Sequence, residues 1–243
     1  MKTQSIIVVC AVAIVGCGKS DPASTTSNPK ATPEVKITTQ NQSSLFPFAV
    51  GNSWTFAMEV SLEAPNQPRS TGNLVVQYTV TKVTNEGSTV KATLDVSNNG
   101  KVQDQQVWSV DSTGIYQLST KVTPRTEPLL FVPKQPVMRF PIKDQETFKW
   151  EGTGLTPINK KGTMKYAFKC DGNQTVDTEM GSMNSLFMQT GGSFKTDEGV
   201  EGGLVINAWF SPGVGLVRYR QEIGTKTAKS SITMRLKSYN IKK

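Results

Sequence analysis

The chain has 243 residues and a net charge of +8, with 27 Lys and Arg against 19 Asp and Glu. It has three cysteines and no histidine. The missing histidine excludes the commonest general base, the commonest zinc ligand and every histidine-dependent triad.

Lys2 and the apolar run from Ile6 to Val15 have the proportions of a secretory signal. The run is too short to cross a bilayer, which takes about 20 apolar residues. It ends in "IVGC" at Ile14–Cys17, which resembles a bacterial lipobox. The resemblance implies that residues 1–16 are a lipoprotein signal peptide. Cys17 then becomes the first mature residue, carrying acyl chains such as palmitate. An ordinary signal with an incidental cysteine is the alternative. Each buried methylene contributes roughly 0.8 kcal/mol, so two or more chains make a stable anchor where one is marginal. Residue 18 is Gly rather than Asp. In an organism with two membranes, the likeness to envelope lipoproteins then implies delivery to the outer membrane, on its periplasmic face or its surface.

Residues 17–44 are rich in Ser, Thr, Pro, Asn and Gln and nearly free of large apolar side chains. Such a stretch cannot bury enough surface to offset its ordering entropy, so it reads as a flexible tether from lipidated Cys17. From residue 45 to 243 the pattern is period two. Trp54, Phe56, Met58 and Val60 alternate with polar neighbours, as do Leu74, Val76, Tyr78 and Val80, and then Val90, Ala92, Leu94 and Val96. This predicts half-buried antiparallel strands and almost no helix. Asn99-Gly100 predicts a hairpin turn, because both residues tolerate positive φ.

Five prolines fall between Pro124 and Pro141, a density that excludes a central strand and marks an extended crossing segment. "FPFAVGNSWTF" from Phe46 and "FPIKDQETFKW" from Phe140 match at a constant offset of 94 residues. Either the domain consists of two similar sheet halves, 45–123 and 140–243, or two strand entries coincide by chance. Cys170 ends "KYAFKC" on the face of Tyr166 and Phe168, so it reads as a buried inert thiol rather than a reactive one. With Cys10 lost and Cys17 lipidated, no internal disulfide can form.

"AWFSPGVGLVRYR" predicts a hairpin, with Pro212-Gly213 at the centre of a type II turn and Gly215 allowing a bulge or close backbone approach. Together with the lipobox, "FPFAVGNSWTF", "VWSVDSTGIYQL" and "SITMRLKSY", this stretch resembles envelope lipoproteins of the TapB-like kind. The resemblance implies a strongly curved antiparallel sheet, similar in outline to the half-barrels of the LolA/LolB carriers, or an open barrel. It implies no catalytic residues.

No nucleophile elbow, phosphate loop or metal-spaced cysteine pair occurs. "DGNQTVDTEMGS" has Val176 and Ser182 where a calcium loop needs glycine and glutamate, leaving Asp171 and Asp177 as at most a weak oxygen site. The expectation is therefore a non-enzyme with no cofactor and no metal. From Arg218 to Lys243 eight basic residues face only Glu222. That face either meets anionic envelope groups or is a solvated outer surface. The compartment excludes nucleic acid. Two functions follow as expectations. One is a membrane-anchored binding module for a lipid or other hydrophobic ligand, consistent with the methionines Met58, Met164, Met180, Met183 and Met188. The other is an envelope scaffold that meets a partner protein through a sheet edge or the basic C-terminal face.

Overall fold

The computed structural model describes residues 44–242. The signal peptide, Cys17 and all of the tether but Ser44 lie outside the described residues. Twelve strands follow in chain order: β1 (Ser53–Glu63), β2 (Ser70–Glu86), β3 (Thr89–Asn98), β4 (Lys101–Asp111), β5 (Gly114–Val122) and β6 (Leu129–Arg139), then β7 (Thr147–Leu155), β8 (Lys161–Thr178), β9 (Gly181–Thr196), β10 (Glu201–Ser211), β11 (Gly215–Thr225) and β12 (Lys229–Asn240). Each pairs antiparallel with its sequence neighbours, and β12 returns to β1. The curvature expected of the sheet thus runs to full closure of the wall.

The alternation sorts the side chains. Phe56 faces Val76 and Leu236 across the two ladders of β1, and all three are buried. Between them, Thr55, Ala57 and Glu59 point outward. Inward positions are predominantly apolar and outward ones predominantly polar or charged, the reverse of a wall that faces lipid. The hairpins follow the chemistry of their turns: Asn99 and Gly100 have φ of 49° and 74°, as a type I′ turn requires.

The proline-rich stretch corrects an expectation. It forms β6, a wall strand, rather than a crossing segment outside the sheet. Pro133 and Pro136 have no N–H to give a ladder, and β6 meets β7 at the single register pair Val132↔Thr153. The chain accommodates prolines in a closed wall by leaving that join nearly unpaired.

Two further features position the candidate site. Residues 44–52 cross one end of the barrel as a plug: Leu45 is fully buried, and the Phe46 ring lies 5.2 Å from those of Trp108 and Phe210. Asn52, also fully buried, pins the plug. Its Nδ2 donates to the Pro47 carbonyl, and its Oδ1 accepts from the Lys242 backbone N–H at 2.9 Å. The second feature is the β8–β9 hairpin, which overshoots its neighbours. Beyond a bulge between Cys170 and Asn173, β8 pairs with β9 alone. The overshoot lies as a strap across the outside of β10–β12. Trp209 Nε1 on β10 donates to Gln174 Oε1 at 3.0 Å, and the Glu179 N–H donates to the Leu236 carbonyl at 3.1 Å.

Candidate functional site

The barrel interior is the first place to look for a ligand. Its inward side chains pack on one another in three apolar clusters. One gathers Trp54, Phe56, Leu94 and Leu236, a second Leu45, Ile115, Met138 and Phe210, and a third Trp150, Met164, Phe168 and Phe194. Met164 and Met188, candidates for an adaptable lipid-binding surface, are 1% and 4% exposed and belong to this packing. Cys170 lies among them as expected, and burial raises its thiol above the usual range, which keeps it protonated and unreactive.

The interior also holds a polar group of residues that sequence patterning did not single out. Asp104 accepts from Gln106 Nε2 at 2.7 Å and from Thr120 Oγ1 at 2.8 Å, and Trp108 Nε1 donates to Gln106 Oε1 at 3.0 Å. Burial holds the Asp104 carboxyl above the ordinary carboxylate range, against those hydrogen bonds. Tyr78 lies near enough for the Asp104 charge to add to the burial that raises its hydroxyl. Both Asp104 oxygens are occupied by neighbours. The arrangement satisfies a buried carboxylate and ties β4 to β5.

The other acidic candidates are separately partnered. Asp171 accepts from Lys169 Nζ at 2.9 Å and from Gln145 Nε2 at 2.6 Å, which lowers its carboxyl below the ordinary value. Asp177 accepts from Ser182 Oγ at 2.6 Å on the strap. Pro212-Gly213 forms the expected turn, closed by a hydrogen bond from the Val214 N–H to the Ser211 carbonyl, with Gly213 at φ 76°. The turn buttresses the plug: the Gly213 N–H donates to the Ser44 carbonyl, and Trp54 Nε1 donates to the Val214 carbonyl. It is architecture.

The outer wall carries a recess. Where the strap tip reaches β12, a cleft of about 710 Å³ opens over β12, β1 and β2. Its floor includes Ala57, Val75, Thr233 and Arg235. Asp177–Glu179 of the strap line one part of it, and Asn98 and Asn99 of the β3–β4 turn another. Register explains the floor. Trp209, Arg218, Arg235, Ala57 and Val75 are successive cross-strand partners on the outward face of β10, β11, β12, β1 and β2.

Arg218 is the most constrained cation in that row. Its guanidinium lies over the Trp209 ring, 5.3 Å from the centroid, and Trp209 stacks on Phe187 at 4.7 Å. Arg218 Nε is buried and has no hydrogen-bond acceptor. The basic run at the C-terminus pointed to these arginines. The strap that encloses them depends on a bulge and a long hairpin, which periodicity does not reveal.

No family profile matches the sequence, and a search of curated proteins returns no relative. Solved structures do show likenesses. A candidate exported protein of YmcC-like fold from Bacteroides fragilis shares 14% identity, with 80% of this chain and 98% of that one covered, at a TM-score of 0.47. A candidate lipoprotein from Parabacteroides distasonis shares 15% identity over 81% and 98% of the two chains, at a TM-score of 0.45. The hypothetical lipoprotein YmcC of Escherichia coli shares 14% over 78% and 89%, at a TM-score of 0.37.

Proposed function

We propose that this protein is a non-catalytic envelope module, anchored to a membrane through lipid on Cys17, that engages another envelope component with the outer wall of its barrel. The lipobox-like "IVGC" supports the anchor, and Gly18 after it favours the outer membrane where two membranes exist. One contrast carries the choice of surface: the inward residues pack on each other in three buried apolar clusters, whereas the outward face of β11 and β12 holds a walled cleft with two arginines. A lipid carrier needs apolar volume free to receive a chain. A module that works through its wall needs a filled, rigid barrel behind the wall.

Native mass spectrometry of the full-length protein from its own membrane separates these uses. The expected mass is the mature chain plus its anchor lipids. One further lipid per chain, retained through detergent exchange and lost on Met58→Trp, would overturn the proposal and restore the barrel interior as the site.

A further inference from the structure

We infer that the outer cleft seats a single phosphate group of a hydroxyl-bearing ligand, a glycerophosphate or sugar phosphate, between Arg218 and Arg235; this rests on the outer wall being the working surface. Arg218 and Arg235 are direct cross-strand partners, and like charges so placed repel unless something neutralises them. Among the described residues neither forms an ion pair, although nine such pairs occur elsewhere on the surface. The recess thus carries two arginines on adjacent strands, neither of them drawn into an ion pair.

Arg218 is preorganised for an oxyanion. Trp209 backs its guanidinium, Gln174 of the strap holds Trp209, and the buried Nε–H has no acceptor among the described residues. A ligand that accepts from this guanidinium meets a side chain whose ordering and desolvation precede binding. The guanidinium fork matches phosphate oxygens two at a time, which a lysine does not.

The remaining lining narrows the ligand. Glu59, Asp177 and Glu179 share the cleft with the arginines. A chain of repeated phosphates would run onto these carboxylates, whereas a single phosphate at the arginines leaves them to other groups of the ligand. Asn73, Asn98 and Asn99 offer amide donors and acceptors, and the carboxylates further acceptors, for hydroxyl groups beside the phosphate. The volume of about 710 Å³ falls within the rough range of 300–1,000 Å³ for small-molecule sites. A walled recess admits a molecule or a protruding headgroup and does not lie flat on a bilayer.

Calorimetric titration of the full chain in detergent tests this with glycerol 3-phosphate, dihexanoyl phosphatidylglycerol and a linear polyphosphate. Saturable binding of either phosphate ester is expected. It should weaken at least tenfold in Arg235→Gln and in Arg218→Lys, and change less than twofold in Lys237→Gln, which removes the same charge from β12 outside the cleft lining. Arg235 is exposed, so circular dichroism should show Arg235→Gln folded as the parent. Tighter binding of the lipid ester assigns the phosphate to a headgroup, and equal binding assigns it to a free ester. The inference is overturned if neither ester binds, if polyphosphate binds better than both, or if Lys237→Gln loses as much as Arg235→Gln. Any of these with the native mass unchanged leaves the outer-wall proposal standing, whereas a retained interior lipid removes both.

Discussion

The first six strands of the barrel meet the last six at two joins, and the two are built from different forces. At β12/β1 the ladder runs from Ser53↔Asn240 to Glu63↔Lys229, Phe56 and Leu236 meet inside, and Ser61 and Ser231 share a hydrogen bond at 2.9 Å outside. At β6/β7 the backbone contributes one register pair. Side chains do the rest: the Arg139 guanidinium covers the Phe148 ring at 4.5 Å, and buried Phe131 lies against Gly154. Closure of a barrel removes its edges, yet closure does not require every join to be a ladder. Where prolines withhold donors, packing and cation–π contact hold the wall.

The largest effect is expected where ladder and core coincide. Phe56 is 1% exposed and its ring meets Tyr78 edge-on at 5.6 Å. Phe56→Ala should lower unfolding free energy in urea by about 3–5 kcal/mol, the usual cost of deleting a buried aromatic. A loss below about 1 kcal/mol would mean that the β12/β1 join does not anchor closure.

The side-chain join breaks in the opposite way, by adding atoms. A Cβ on Gly152 would stand 2.8 Å from the Val132 carbonyl and closer still to the Trp150 ring. The backbone oxygen cannot retreat without parting β6 from β7. Gly152→Ala should therefore cost about 1–3 kcal/mol, by overpacking. Amide exchange should quicken on β6 and β7 and stay slow on β12 and β1. Uniform quickening would show that the two joins are not independent.

What the amino-acid pattern revealed, and what it hid, follows the same division. Period-two alternation on Trp54–Val60 and Leu74–Val80 identified the wall, because each strand has one wet and one dry face. The 94-residue offset reappears in strand starts, Ser53 for β1 and Thr147 for β7, and both Phe46 and Phe140 reach the same buried cluster at the plugged end. The basic run ending at Lys243 contained Arg218 and Arg235. Hidden were features set by contacts distant in sequence. Leu45 and Asn52 read as a strand entry and act as a plug. Pro133 and Pro136 argued against a wall strand and instead shape a weak join. Asp104 was one carboxylate among many until folding brought Thr120 and Gln106 to it.

The smallest effect tests the turn that supports the ladder side. Gly213 has φ of 76°, and a Cβ added there would meet nothing within 4 Å. Gly213→Ala therefore isolates backbone strain from crowding, and it should cost about 1 kcal/mol, the penalty of placing an L side chain in the left-handed region. The Gly213 N–H still has the Ser44 carbonyl to bind, so the plug should stay in place. Pro212→Ala should cost less, about 0.4–1 kcal/mol, because it acts by loosening the unfolded chain. Thermal unfolding of the two variants side by side checks the order. If Gly213→Ala unfolds with the parent while Pro212→Ala does not, the turn is held by the proline ring rather than by the glycine. Trp54, hydrogen-bonded to Val214, would then be steadied from Pro212.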